Sequence, residues 1–120
     1  MKVALTIWEN RISPLFDSAS VLLIADVEGR GITKRHLEPL ECESPFSKAA
    51  RLDDLGVNVL ICGGISESFA NLIEAHRIRI IPFTKGTVDE VLEAYATGNI
   101  NRQDFRMPGC ETSKDPVPYE

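Results

Sequence analysis

The sequence is poor in the residues that most often announce a chemistry. Its 120 residues contain three cysteines, two histidines and one tryptophan. The cysteines stand far apart, at Cys42, Cys62 and Cys110, so there is no Cys-x-x-Cys pair and no zinc-finger spacing. An odd, scattered set also argues against a disulfide framework. Any metal site has to be assembled from distant segments or shared between subunits. Positive charge is scarce too: 13 Lys and Arg face 18 Asp and Glu, a net charge of −5. That excludes a nucleic-acid binder working by broad phosphate neutralisation, and leaves only a local basic patch if Arg11, Lys48 and Lys85 converge. No apolar run is long enough to span a bilayer, so no membrane partner is expected. The opening Met1-Lys2-Val3-Ala4-Leu5 lacks the apolar stretch and cleavage site of a signal peptide, which points to the cytoplasm.

What remains is an ordinary globular composition, 43% hydrophobic and 26% charged, sized for one domain with a single core. Residues 2–8 alternate, with Val3, Leu5 and Ile7 on one face, which is strand period. Val21 to Ala25 reads as a second strand. The glycine-rich turn Glu28-Gly29-Arg30-Gly31 leads into a third, Ile32 to Leu37, paired antiparallel with the second. The pattern then changes. Ser44-Pro45 opens a helix with Phe46, Ala49, Ala50 and Leu52 as its apolar side, closed by Gly56. Val57 to Cys62 is a short apolar strand of the kind covered on both faces. Ser66 caps a second helix that buries Phe69, Leu72 and Ile73, and Ile78 to Phe83 is a fifth strand. Thr87-Val88-Asp89-Glu90 is a capping box for a third helix, which buries Val88, Val91, Leu92 and Tyr95 and ends at Gly98. From Asn99 onward the periodicity fades, and residues 111–120 read as a polar tail behind a single domain of residues 1–110.

The order β-β-β-α-β-α-β-α predicts a three-layer α/β fold. A five-stranded mixed sheet, with its second strand antiparallel to the first, carries helices on both faces in a ribonuclease-H-like topology. The usable crevice of such a sheet lies beyond the carboxyl ends of its parallel strands. Three loops reach that rim: Glu9 to Asp17, Cys62 to Ser66, and Thr84 to Thr87. Gly63-Gly64 admits close backbone approach to a ligand, or is only a tight turn. Ser66, and Lys85-Gly86-Thr87, open helices whose N-termini favour an anion, or are only caps. Trp8 either stacks a ligand at the rim or packs at a strand end.

Other chemistries fail on residue type. Two-metal nuclease chemistry needs converging carboxylates, and the end of strand 1 offers only Glu9 while the end of strand 4 offers Cys62. Ser13 and Ser66 have no histidine–acid pair in any motif, so a serine hydrolase is unsupported. His36 reads as part of a solvated strand end, and His76 as a helix C-terminal residue. Among the cysteines, Cys42 lies between Glu41 and Glu43, which disfavour a thiolate, and reads as incidental. Cys62 is either a small core residue or a thiolate whose pKa the two helix N-termini lower. Cys110, after Pro108-Gly109, stands in a segment with few apolar anchors, where a cysteine is a liability unless it is used.

Several separated motifs, in this order, resemble the dinitrogenase iron–molybdenum cofactor biosynthesis family, the NifX/NafY-like domains. They are Met1-Lys2-Val3-Ala4, the run from Arg11-Ile12-Ser13-Pro14-Leu15-Phe16-Asp17 to Ala19, Leu60 to Ser66 with Cys62-Gly63-Gly64, Gly86 to Val91, and Met107-Pro108-Gly109-Cys110. The resemblance covers about residues 1–110. It implies the ribonuclease-H-like fold and a non-enzymatic protein that binds or carries an iron–sulfur cluster or an iron–molybdenum cofactor precursor. A cluster donor or acceptor protein is the implied partner. Arg11, Ser13, Phe16, Asp17, Gly63, Gly64, Ser66, Lys85 and Gly86 are then the candidate cofactor-binding residues, with Cys110 and Cys62 as metal ligands. Two departures stand out. Family members often carry His-Phe-Gly where this chain has Leu15-Phe16-Asp17, and often a paired cysteine where Cys110 precedes Glu111. The alternative function is a small-molecule, anion-binding or protein-interaction module without metal.

Overall fold

β1 (Lys2–Trp8) is the centre of the computed structural model, which describes residues 1–40, 44–100 and 105. Its alternation suits a half-buried strand, yet Val3, Ala4, Leu5 and Thr6 are all buried. Position in the sheet is the reason. β1 pairs antiparallel with β3 (Val21–Glu28) on one side and parallel with β5 (Val59–Ile61) on the other. β4 (Gly31–Pro39) pairs antiparallel beyond β3, and β6 (Arg79–Ile81) pairs parallel beyond β5. The path runs β4-β3-β1-β5-β6, a mixed sheet whose second long strand is antiparallel to the first, as the meander predicts.

The sheet has six strands rather than the expected five. The extra one, β2 (Arg11–Ile12), folds back on the end of β1 and pairs Ile7 with Ile12 and Trp8 with Arg11. Glu9 turns the chain there in the left-handed region, at φ 58°. Two residues are too few for alternation to reveal a strand, so this stretch reads as loop in the sequence. β5 and β6 are shorter than their apolar runs. β4 is longer than Ile32–Leu37 and is exposed along nearly all of its length, with His36 in its middle opposite Ile24.

Helices cover both faces. α3 (Val88–Thr97) packs on one through Val88, Val91, Leu92, Ala94 and Ala96, against Val3, Leu5, Leu23 and Ile61. α1 (Pro45–Asp54) and α2 (Glu67–Glu74) pack on the other, against Ala4, Leu22, Ile24 and Leu60. Ser44, Ser66 and Thr87 cap the three helices, each side chain accepting from the backbone N–H three residues on. Glu90 completes its capping box differently from expectation. Its carboxylate accepts from the Thr87 hydroxyl at 2.9 Å.

α1 corrects the sequence reading most clearly. Its buried side is Lys48, Ala49 and Leu52, while Phe46 is 71% exposed and Ala50 is exposed too. The segment after Gly98 is also better anchored than expected. Ile100 is buried, and Phe105 packs against the α3 cluster. Cys42, Cys110 and the polar tail of residues 111–120 lie outside the described residues. No described helix is long and apolar enough to cross a membrane.

Candidate functional site at the carboxyl rim of the sheet

The three rim loops meet, and they meet through their own backbones. Ile12 N donates to Gly86 O at 3.0 Å and Val88 N to Asn10 O at 2.9 Å, so the first loop is laced to the start of α3. Phe16 N donates to Gly64 O at 2.7 Å, and Gly64 N to Pro14 O at 2.6 Å, which laces the first loop to the loop after β5. Phe83 N donates to Gly63 O at 2.8 Å and Thr84 N to Cys62 O at 2.9 Å, which adds the loop after β6. Lys85 N donates to Phe105 O at 2.9 Å and brings the end of the described chain to the same place.

This lacing settles what the glycines do. A Cβ on Gly63 would collide with the carbonyl oxygens of Ser13 and Pro14. The close approach that only glycine permits is therefore made by the first rim loop itself. The Gly64 N–H is likewise donated within the chain. The helix starts are partly filled in the same way. Asp17 presents Oδ1 to Ser66 N at 3.5 Å, placing a carboxylate of the protein at the N-terminus of α2, where an anion is favoured. At α3, the Val88 N–H goes to Asn10.

Beneath the first loop lies a residue whose role the sequence does not suggest. Lys48 is only 6% exposed. Its Nζ donates to Asp17 O at 2.9 Å and to Ala19 O at 3.1 Å. The same ammonium sits 5.5 Å from the centroid of the Phe16 ring and 5.8 Å from that of Phe69, rings that meet edge to face. Burying a lysine is costly unless its donors are used, and here two of them hold the turn that carries Phe16. Phe16 is fully buried, as is most of Ser13, whose hydroxyl donates to Leu15 O at 3.2 Å. Ser13, Phe16, Gly63 and Gly64 thus build the rim from within, while Arg11, Asp17, Ser66 and Lys85 are exposed upon it. The Ile12–Gly86 bond brings the backbones next to Arg11 and Lys85 together; Lys48 is buried, so the three cations do not form one exposed patch. The signal for Lys48 was its spacing of four from Leu52, the stripe of a helix that faces the core.

Cys62, the residue after β5, has no exposed surface. Burial, and then the negative charge of Asp17, push its thiol up to about 12. That is opposite in direction to a thiolate favoured by helix N-termini, because burial strips the thiolate of solvent and Asp17 sets a negative charge near it. Thr6, fully buried on the neighbouring strand, has a hydroxyl with no hydrogen-bond partner among the described residues. An unsatisfied buried hydroxyl costs roughly 1–3 kcal/mol.

Outside, the rim is apolar in patches. Trp8 is 62% exposed and Leu15 57%, and with Ser13, Pro14 and Ser18 they line a depression of about 270 Å³. Trp8 is therefore not strand-end packing. Phe83 is exposed as well, held at φ 57°, a conformation that a bulky residue rarely adopts. The histidines are paired at the surface, His36 with Glu38 at 3.0 Å and His76 with Asp53 at 3.1 Å. No three His, Cys, Asp or Glu side chains among the described residues are grouped to hold a metal ion.

The fold is shared by solved structures. The protein PH0822 superposes with a TM-score of 0.77 at 17% identity, over 82% of this chain and 92% of that one. MJ0327 of Methanocaldococcus jannaschii, a dinitrogenase by provisional assignment, gives 0.66 at 23% identity, over 82% and 90%. TM1290 from Thermotoga, a NifB protein by provisional assignment within the DUF35 family, gives 0.64 at 20% identity, over 82% and 89%. At these identities the likeness is one of fold. No curated protein matches the chain in sequence. The sequence pattern of the family described as dinitrogenase iron-molybdenum cofactor, by contrast, matches residues 1–98. The chain belongs to the dinitrogenase iron–molybdenum cofactor family.

Proposed function

We propose that this protein is a non-enzymatic carrier that binds an iron–sulfur cluster or an iron–molybdenum cofactor precursor as cargo at the carboxyl rim of its sheet. The observation that carries the reading is the bond from Lys85 N to Phe105 O, which ties the chain leading to Cys110 to the rim loops. Cys110 follows Phe105 by five residues, so covalent reach alone keeps it within about 18 Å of that bond. Family membership supplies the class of cargo. The strand order and directions fit the ribonuclease-H-like topology, and we read the fold so.

In this reading Cys110 is the entry ligand and Cys62 a second one, with Arg11, Asp17, Ser66, Lys85 and Gly86 bordering the cargo. Ser13, Phe16, Gly63 and Gly64 hold the loops that frame it. A bound metal supplies the driving force to deprotonate a buried thiol that is otherwise held neutral. Two thiolates cannot complete four-cysteine ligation. The remaining positions come from a cytoplasmic donor or acceptor protein, and that incompleteness is what allows release.

Anaerobic reconstitution with iron and sulfide tests the proposal, run on the wild type, Cys110→Ser and Cys62→Ser. The expected outcome is charge-transfer absorption and bound iron in the wild type and loss of both in Cys110→Ser. Equal iron in all three chains removes both ligands, and a wild type that takes up no iron removes the carrier reading. Exposed Trp8 and Leu15 favour a second reading in that case, a protein-interaction module that docks through the rim.

A further inference from the structure

Two polar side chains lie side by side beneath the first rim loop, the Thr6 hydroxyl and the Cys62 thiol. The β1–β5 register runs Val3–Val59, Ala4–Leu60, Leu5–Ile61. One step further, Thr6 stands level with Cys62, and the alternation of strand side chains puts both on the face that carries Ala4 and Leu60. Both are fully buried, and the Thr6 hydroxyl has no partner among the described residues. The same buried cluster contains Phe16. The Phe16 turn is short, closed by Ala19 N donating to Phe16 O at 3.0 Å, and held from the side by Lys48 through the carbonyls of Asp17 and Ala19.

We propose that the turn Phe16–Ala19 is a lid over Cys62, that Lys48 is its latch, and that opening of this lid sets when the thiol meets a thiophilic metal. The carrier reading supplies the identity of the metal; the gating itself stands on this geometry. Lys48 belongs to α1, a different element from the loop it holds. Release of these two carbonyls loosens the Asp17–Ala19 end of the turn without breaking a strand pair of the sheet, while Phe16 N stays on Gly64 O as the hinge. The ammonium is an expensive side chain to bury, and a hydrocarbon of the same length would fill the space between the two rings. What a hydrocarbon lacks is donors for the turn. The Thr6 hydroxyl pulls the other way, since opening offers it, in water or cargo, a partner it lacks among the described residues. The closed state is thus latched on one side and left incomplete on the other, which suits a thiol that must be hidden between transfers.

The test is the rate at which an aromatic disulfide reagent modifies Cys62 in a chain carrying Cys42→Ser and Cys110→Ser, where it is the only thiol. Lys48→Met should raise that rate roughly tenfold or more, the loss of two charge-assisted hydrogen bonds. Val91→Ala weakens the buried core on the opposite face of the sheet and should raise the rate only by its share of global unfolding, which urea titration measures. An unchanged rate in Lys48→Met overturns the proposal, and so does an equal acceleration in both variants at equal stability loss. Hydrogen exchange of the unsubstituted chain gives an independent reading should Lys48→Met fail to fold. The Phe16 and Ala19 amides should open faster than those of Leu5 and Leu23, and exchange at a common global rate overturns the lid. The reagent needs no iron, so a protein that never binds a cluster can still pass or fail this test.

Discussion

The two faces of the sheet are built from the same strands and differ in what they bury. Toward α3, β1 sends Val3 and Leu5, β3 sends Leu23 and Ala25, and β5 sends Val59 and Ile61, against a buried layer that is aliphatic, with Tyr95 and Phe105 only at its edge. Toward α1 and α2 the same strands send Ala4, Thr6, Leu22, Ile24, Leu60 and Cys62, and there the covering layer contains two aromatic rings and a buried lysine. Each strand must supply residues to both faces, so cohesion and polar detail are divided between faces rather than between strands. The α3 face holds the sheet together. The α1–α2 face tolerates a hydroxyl, a thiol and an ammonium because the first face needs none of them.

Substitutions on the two faces put that division to the test. Leu92→Ala, at a fully buried position of α3, should cost about 3 kcal/mol by urea denaturation, the usual penalty of an unfilled aliphatic site. A loss under about 1 kcal/mol would mean that the α3 face is not the cohesive one. Alkaline titration probes the other face. The folded Cys62 thiol is raised from an ordinary 9.0 to about 12, so the folded chain keeps a proton that the unfolded chain gives up. Its contribution is whole below about pH 9 and is lost as pH rises toward about 12, at up to about 1.4 kcal/mol per pH unit. Urea midpoints followed upward from about pH 8 should therefore fall more steeply in the wild type than in Cys62→Ala. Identical slopes would mean that the thiol is not shielded. The smallest effect, and the one of opposite sign, belongs to Thr6→Val. Removing an unpaired hydroxyl while keeping the branched shape should stabilise the chain by about 1 kcal/mol. A loss of stability would show that the hydroxyl has a partner.

The sequence disclosed most of the fold because its signals were local. The caps at Ser44, Ser66 and Thr87, the stop at Gly98 and the switch from meander to strand–helix alternation each act within a few residues. Apart from β2, too short to show alternation, the sequence misled where the cause was distant. Phe46 has the apolar side chain of a core residue and Lys48 does not, but the carbonyls of Asp17 and Ala19 come from another segment and give the lysine partners inside. Gly63-Gly64 read as room for a ligand or as a tight turn, and the chain that approaches it is the protein's own, some fifty residues earlier in sequence. Cys62 stood at the correct edge of the correct strand. Its protonation follows from the packing above it, which no spacing in its own neighbourhood encodes. The loops that form the site were legible as loops after strands 1, 4 and 5; that they close on each other was not.

That closure imposes an order on the making of the protein. The amide of Ile12 waits for the carbonyl of Gly86, the carbonyl of Asn10 for the amide of Val88, and the carbonyl of Gly63 for the amide of Phe83. A chain growing from the ribosome has its first rim loop almost at once, can tie it to Gly64 only after β5, and cannot complete the fastening until synthesis has passed Val88. The rim is an end-of-assembly check: a polypeptide stopped short of α3 lacks the partners that shape it, and any binding at that edge belongs to chains already extended past that helix's first turn.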